Sequence, residues 1–247
     1  MAKIHVLLKK EELDSERLEA KVVVVLDILF ATSSIVTALA HGAAEVIPTL
    51  DGASALAEAQ RHAAGAYVLS GELNADTLAG FVHPTPLALL REDVARRTLI
   101  YSTTNGTVAL NKSRSALHVY AAALLNGEAV VRHISLRHQD STVLIVCSGS
   151  ADNFNLEDFY GAGYLVSLFR KTSLEQGVEH EFSDAALAAE ILHGNTDAER
   201  CLMQARVGRM MLARRLAEEI HFAAQKSVYD IVPYFADGGL RLLEPRT

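Results

Sequence analysis

The run Val22-Val23-Val24-Val25-Leu26 constrains this chain more than any other segment, because it is unbrokenly apolar and stops abruptly at Asp27. A strand with one wet face alternates apolar and polar residues. A continuous β-branched run instead fits a strand buried on both faces, as in the parallel sheets of α/β proteins. The run is too short to cross a bilayer. In open α/β sheets ligands bind beyond the carboxyl ends of strands, so Asp27 puts a carboxylate where chemistry is expected.

The remaining pattern agrees with that class. Short β-branched runs at 3–8, 45–48, 67–70, 98–102, 118–121 and 142–146 read as strands. Helical spacing follows at 33–41, 51–64 and from about 108, and a short helix is expected inside the loop-rich stretch 73–97. Beyond 151 helices dominate, at 156–170, 183–192 and 198–220, with Ser183 placed as an N-cap. No stretch has linker composition. The expectation is a single compact α/β domain over 1–247, a three-layer α/β/α arrangement with a mixed or mostly parallel sheet, and a helix-rich C-terminal part, or lobe, from about 151.

Composition narrows the function. A net charge of −7 with no basic run argues against nucleic acid, whose phosphate backbone needs clustered Lys and Arg. The charged residues of the first twenty positions exclude a signal peptide, and no apolar run suits a membrane. Cys147 and Cys201 form no CxxC pair and suggest no disulfide framework, and Cys147 reads as a small core residue. The expected setting is cytoplasmic, with a small-molecule partner and room for a homo-oligomer.

Several strand ends pass directly from apolar into small polar residues: Asp27 with Thr32 and Ser33, Gly71-Glu72, Thr103-Thr104-Asn105-Gly106, and Cys147-Ser148-Gly149. Hydroxyls and free backbone N–H groups at helix starts suit phosphate oxygens. Carboxylates such as Asp27 and Glu72 suit Mg2+, a hard cation that takes one or two carboxylates and completes its shell with water. Each element has a plainer role as well, since Ser, Thr and Asp cap helices and Asn-Gly makes turns. Glu157, Asp158 and Asp184 fall in first turns of helices, where the macrodipole stabilises them, and Asp158 and Asp184 are weaker metal candidates. The ten histidines show no ligand spacing, and His133 and His138 read as surface.

A strand-end Asp followed five residues later by Thr is similar to the haloacid-dehalogenase phosphatases, but their general-acid position is Leu29 here. A fuller match runs over residues 4–235. Asp27-Ile28-Leu29-Phe30-Ala31-Thr32-Ser33, Gly71-Glu72, Thr103-Thr104-Asn105-Gly106-Thr107, Val146-Cys147-Ser148-Gly149, Leu156-Glu157-Asp158, Ser183-Asp184-Ala185-Ala186 and Val232-Pro233 occur in that order. Together they resemble the 2-phosphosulfolactate phosphatase family. The resemblance implies an α/β/α fold and Mg2+-dependent hydrolysis of 2-phosphosulfolactate to sulfolactate, on the route to coenzyme M. It also implies catalytic and metal-binding roles for Asp27 and Glu72, and substrate contacts from Thr32, Ser33, Thr103, Thr104, Asn105, Gly106, Ser148 and Gly149.

The chain departs from the family pattern at several places. Phe30 and Leu73 replace arginines, His83-Pro84-Thr85-Pro86 replaces Gly-Asn-Ser-Pro, Val207 precedes Gly208 in place of His, the pair Ala223-Ala224 stands for Cys-Ala, and Ser227 replaces Asp. Guanidinium groups grip phosphate and sulfonate bidentately. Two lost charge-assisted contacts at roughly 1.5–3 kcal/mol each weaken a highly anionic substrate by about 100-fold or more. Lys112, Arg114, Arg206 and Arg209 are candidate substitutes. Two readings follow: a phosphatase for a small, less charged phosphate monoester, or a non-catalytic homologue binding a small anionic ligand or a partner subunit. Both the metal site and the phosphatase mechanism require Asp27, Glu72 and the 103–105 loop to share one cleft.

Overall fold

The computed structural model describes residues 2–243. In chain order the strands are β1 (Ala2–Leu7), β2 (Lys21–Leu26), β3 (Glu45–Thr49), β4 (Tyr67–Leu73), β5 (Asp76–Thr77), β6 (Thr98–Ser102), β7 (His118–Ala122), β8 (Thr142–Cys147), β9 (His180–Phe182), β10 (Pro233–Ala236) and β11 (Gly239–Leu242). The helices are α1 (Ala31–Ala40), α2 (Gly52–Ala59), α3 (Pro86–Leu90), α4 (Gly106–Lys112), α5 (Gly127–Arg137), α6 (Leu156–Gln176), α7 (Asp184–Asn195), α8 (Ala198–Gln204), α9 (Arg206–Ala213) and α10 (Ala217–Ala223).

The valine run behaves as its composition requires. Val22, Val24 and Leu26 enter one core with Val130, Val131, Ile134, Tyr160, Leu165 and Phe169 from α5 and α6. Val23 and Val25 enter a second core with Ile35, Ala38 and Leu39 of α1 and Ala109 and Leu110 of α4. Alternate residues of one strand therefore feed opposite faces, each buried valine or leucine contributing roughly 1.5–3 kcal/mol. The result is an α/β fold of three layers, helices on both sides of a mixed, mostly parallel sheet.

The strand order is β5-β4-β6-β3-β11-β10-β7-β2-β8-β1-β9. One parallel block holds β4, β6 and β3, and another holds β7, β2, β8, β1 and β9. Between them sits the β10–β11 hairpin, antiparallel to β7 on one side and to β3 on the other. The two blocks bring the carboxyl ends of β2, β4, β6 and β8 to a common crevice.

Three local features differ from the sequence pattern. Residues 198–220 form three helices, broken at Ala205, whose ψ of 155° is extended, and near Arg215, whose φ is +61°. The break lets α9 fold back so closely that a Cβ on Gly208 would meet the Leu202 carbonyl at 1.8 Å. Helix α5 was not anticipated, and α2 ends at Ala59, short of residue 64. Ser183 caps α7 as expected, accepting from the Ala186 N–H at 3.2 Å.

Candidate active site

Asp27 follows the last residue of β2 and precedes α1. Its carboxylate Oδ1 accepts the Ala31 N–H at 3.2 Å, one of the unpaired donors at the start of α1. Thr32 braces the same turn: its hydroxyl donates to the Asp27 carbonyl at 3.0 Å and accepts the Asp27 N–H at 2.9 Å. Asp27 is only 7% exposed, and burial pushes its pKa up to about 6. The Ala31 N–H opposes that rise, the charge of Glu72 adds to it, and the Gly106 N–H and Lys10 oppose it.

Glu72, half-buried near the end of β4, is oriented from two sides. Its Oε1 accepts both the N–H and the hydroxyl of Thr104, at 2.8 and 2.9 Å, and its Oε2 accepts the Ala75 N–H at 2.6 Å. The Thr103–Asn105 loop packs against Asp27 because residue 106 is glycine. A Cβ there would lie 2.5 Å from the Ala31 Cβ and 2.9 Å from Asp27 Oδ2. Asp27, Glu72, Thr103, Thr104 and Asn105 all line one crevice of about 250 Å3, together with Phe30, His83, Tyr101, Asn155 and Arg206.

The other sequence candidates sit around this crevice rather than on its wall. Ser33 donates its hydroxyl to the Ile28 carbonyl at 2.8 Å and is fully buried. Thr32 is committed to the Asp27 backbone, and Gly106 allows the close approach just described. Ser148 is buried with no partner for its hydroxyl among the described residues, while its carbonyl accepts from Lys10 Nζ at 3.2 Å. Gly149 donates its N–H to Asp158 Oδ2 at 3.1 Å, and Oδ1 of Asp158 takes the Ile28 N–H at 2.9 Å. Asp158 thus ties the loops after β2 and β8 together, and burial holds its pKa well above the ordinary carboxylate range. Asp184 is exposed on α7 and does not line the crevice. His133 and His138 are half-buried rather than on the surface, both hydrogen-bonded to the Tyr120 hydroxyl.

Sequence reasoning missed a buried cation behind the crevice wall. Lys10 follows β1, is 6% exposed, pairs with Glu11 at 3.1 Å and donates to Asn105 Oδ1 at 3.2 Å, without lining the crevice itself. Its only signal was a Lys-Lys pair placed directly after the first strand. Among the four proposed substitute cations, Arg206 reaches the crevice, donating to Asn155 Oδ1 at 3.3 Å and to the Ser150 carbonyl at 3.4 Å. Lys112 donates to the Lys10 carbonyl, Arg114 stacks over Phe235, and Arg209 bonds the Gln204 carbonyl. Of the two positions where the family pattern is expected to hold arginine, Phe30 lines the crevice, whereas Leu73 is 57% exposed and outside its wall.

Asp27 and Glu72 offer hard oxygen donors, and the charge of Glu72 adds to the proton affinity that burial gives Asp27, a strain that a divalent cation would relieve. Among the described residues, no group of three or more His, Cys, Asp or Glu is placed to hold a metal. A two-carboxylate set is nonetheless within the habit of Mg2+, which keeps several waters. No helix among the described residues is long and apolar enough to cross a membrane.

Comparison with known proteins gives the class first: the relatives of this chain are phosphatases, phosphoric monoester hydrolases. Residues 7–238 match the family described as 2-phosphosulpholactate phosphatase, and the chain belongs to that family. It is 33% identical over 238 residues to a protein of Clostridium beijerinckii named "Probable 2-phosphosulfolactate phosphatase", covering 96% of this chain and 98% of the relative. A protein of the same name from Clostridium perfringens strain SM101 is 33% identical over 246 residues, covering 98% and 97%. Another from Clostridium novyi is 32% identical over 235 residues, covering 94% and 97%.

Proposed function

We propose that the chain is a Mg2+-dependent phosphatase of a small phosphate monoester, with the ester bound in the crevice between the two parallel blocks. The observation that carries this reading is the convergence of Asp27 and Glu72 on the Thr103–Asn105 loop, with Arg206 on the crevice wall and Lys10 behind the loop, bonded to Asn105. Since the relatives carry the name 2-phosphosulfolactate phosphatase, 2-phosphosulfolactate is the first ester to try. Phe30 on the wall favours a less anionic ester over it.

Asp27 and Glu72 would hold the cation. When bound, it supplies positive charge to the phosphoryl oxygens. Thr104 and Ala75 fix the Glu72 carboxylate before substrate arrives, so no reorganisation is needed at the moment of reaction. The Asn105 side-chain oxygen accepts from Lys10 and one amide N–H reaches the Thr104 hydroxyl at 3.5 Å, which leaves the other N–H for a phosphate oxygen. Arg206 brings a guanidinium to the opposite lip, where the acid group of a phospho-acid would lie.

A panel of phosphate monoesters, assayed for phosphate release with and without Mg2+, tests the reading. Release that needs the metal and vanishes in Asp27→Asn supports it. A well-folded protein that releases nothing from the whole panel overturns it.

A further inference from the structure

The segment His83-Pro84-Thr85-Pro86 is built for rigidity. Pro84 and Pro86 each fix a φ angle and restrict the residue before them. The Pro84 carbonyl accepts two hydroxyls, from Tyr101 at 2.7 Å and from Ser34 at 2.9 Å. Thr85 occupies the N-cap position of α3 but its side chain makes no cap hydrogen bond. Its hydroxyl instead donates to Glu219 Oε1 at 2.7 Å, and Oε2 of the same carboxylate takes the Leu87 N–H at 2.9 Å. Glu219 comes from α10 and is 5% exposed.

This arrangement decides where the protons of His83 sit. A threonine hydroxyl has one proton, and at 2.7 Å from a carboxylate it is spent there. Towards His83 Nδ1, 3.0 Å away, the Thr85 oxygen must accept. Nδ1 therefore carries the N–H, and Nε2 keeps its lone pair. No partner for Nε2 is found among the described residues, and His83 lines the crevice. Burial lowers the His83 pKa, with Arg214 acting the same way and Glu219 and Glu72 opposing, so the ring is neutral at pH 7. Asp27 and Arg206 face the same space from the other walls.

We propose that His83 is the general base of the crevice, a role that rests on the phosphatase reading above, and that Thr85 and Glu219 position it. Nε2 takes a proton from the water that attacks phosphorus. The new P–O bond to that water forms as the ester P–O bond breaks. The leaving alkoxide takes a proton from bulk water at the open mouth, and the imidazolium later returns its proton to solvent. While charged, the ring is countered by the buried Glu219 carboxylate through the Thr85 hydroxyl.

The test uses the full chain and an ester that the wild type hydrolyses. His83→Ala should lower kcat by about 100-fold or more, the usual size of a base contribution, with little change in KM. Added imidazole, entering the space left by the side chain, should restore much of the loss. His83→Gln, which can keep the hydrogen bond to Thr85, should be as slow without rescue. In 15N NMR the wild-type ring should show the Nδ1–H tautomer, retained in Thr85→Ser and shifted towards Nε2–H in Thr85→Val. A His83→Ala protein with near wild-type kcat, a folded one not rescued by imidazole, or an Nε2–H tautomer in the wild type overturns the proposal. If Asp27→Asn abolishes release while His83→Ala does not, the phosphatase reading stands and the base falls alone. No release by the wild type from any ester removes both.

Discussion

Glu157 carries a stability cost that can be measured apart from any activity. It sits in the first turn of α6, 1% exposed, and among the described residues neither carboxylate oxygen has a hydrogen-bond partner in another residue. Burial is the main cause that pushes its pKa from 4.5 to about 7; its own N–H and Arg206 resist, and the charge of Asp27 adds to the rise. Between those two values the folded chain binds a proton that the unfolded chain has released. By linkage, stability therefore falls as pH rises through this window. A displacement of roughly two to three pH units, at about 1.36 kcal/mol each, gives a loss of about 3 kcal/mol, complete above about pH 8. Glu157→Gln has the shape of the protonated acid and no charge to bury. Urea unfolding at a series of pH values should show the two proteins equally stable near pH 4 and the variant more stable by about 3 kcal/mol at pH 8, with equal m-values. A variant that is less stable at pH 8, or a difference that does not change with pH, would refute the reasoning.

Other perturbations probe the crevice itself. Gly106→Ala forces a Cβ into contact with Ala31 and Asp27, and should cost about 1–3 kcal/mol in thermal or urea unfolding while abolishing phosphate release. Asp158→Asn can accept from only one of the Ile28 and Gly149 amides, and the lost contact should cost about 1–3 kcal/mol by the same measurements. Phe30→Arg adds a guanidinium to the wall, and the KM for 2-phosphosulfolactate should drop by about tenfold or more; an unchanged KM would remove Phe30 as a determinant. Because Asp27 must lose a proton to hold a cation, release at low Mg2+ should climb as pH rises through about 6. More Mg2+ should move that limb to lower pH, and an immovable limb would argue against Asp27 as a ligand.

Val22–Leu26 was legible as a buried strand because both of its faces are apolar, and Asp27 because it interrupts them. The Thr103–Asn105 loop was legible by its hydroxyls and its Asn-Gly pair. The C-terminal hairpin was not: its strands Pro233–Ala236 and Gly239–Leu242 are too short to show a period, although Asp237-Gly238 between them is an ordinary turn signal. The broken helix over 198–220 has no internal proline, and neither Ala205 nor Arg215, where the chain breaks, is a residue type that signals a stop; only Gly208, where α9 closes on the Leu202 carbonyl, hints at the tight turn. Lys10, His83 and Glu219 lie far apart in the chain and gain meaning only from the sheet and helices that assemble them. No local pattern encodes a convergence of that kind.

The hairpin in the middle of the sheet has a consequence for how the chain reaches this state. Every other strand is synthesised before residues 233–242, yet until these insert, β3 and β7 both present unpaired edges. Two half-sheets with open edges are templates for wrong partners, including other copies of the chain. Closure is also a long-range event: Tyr234 must find Tyr120 and Leu240 must find Val46. The hairpin thus acts as a keystone, and the halves that supply Asp27 and Glu72 are joined through the sheet only when it is seated.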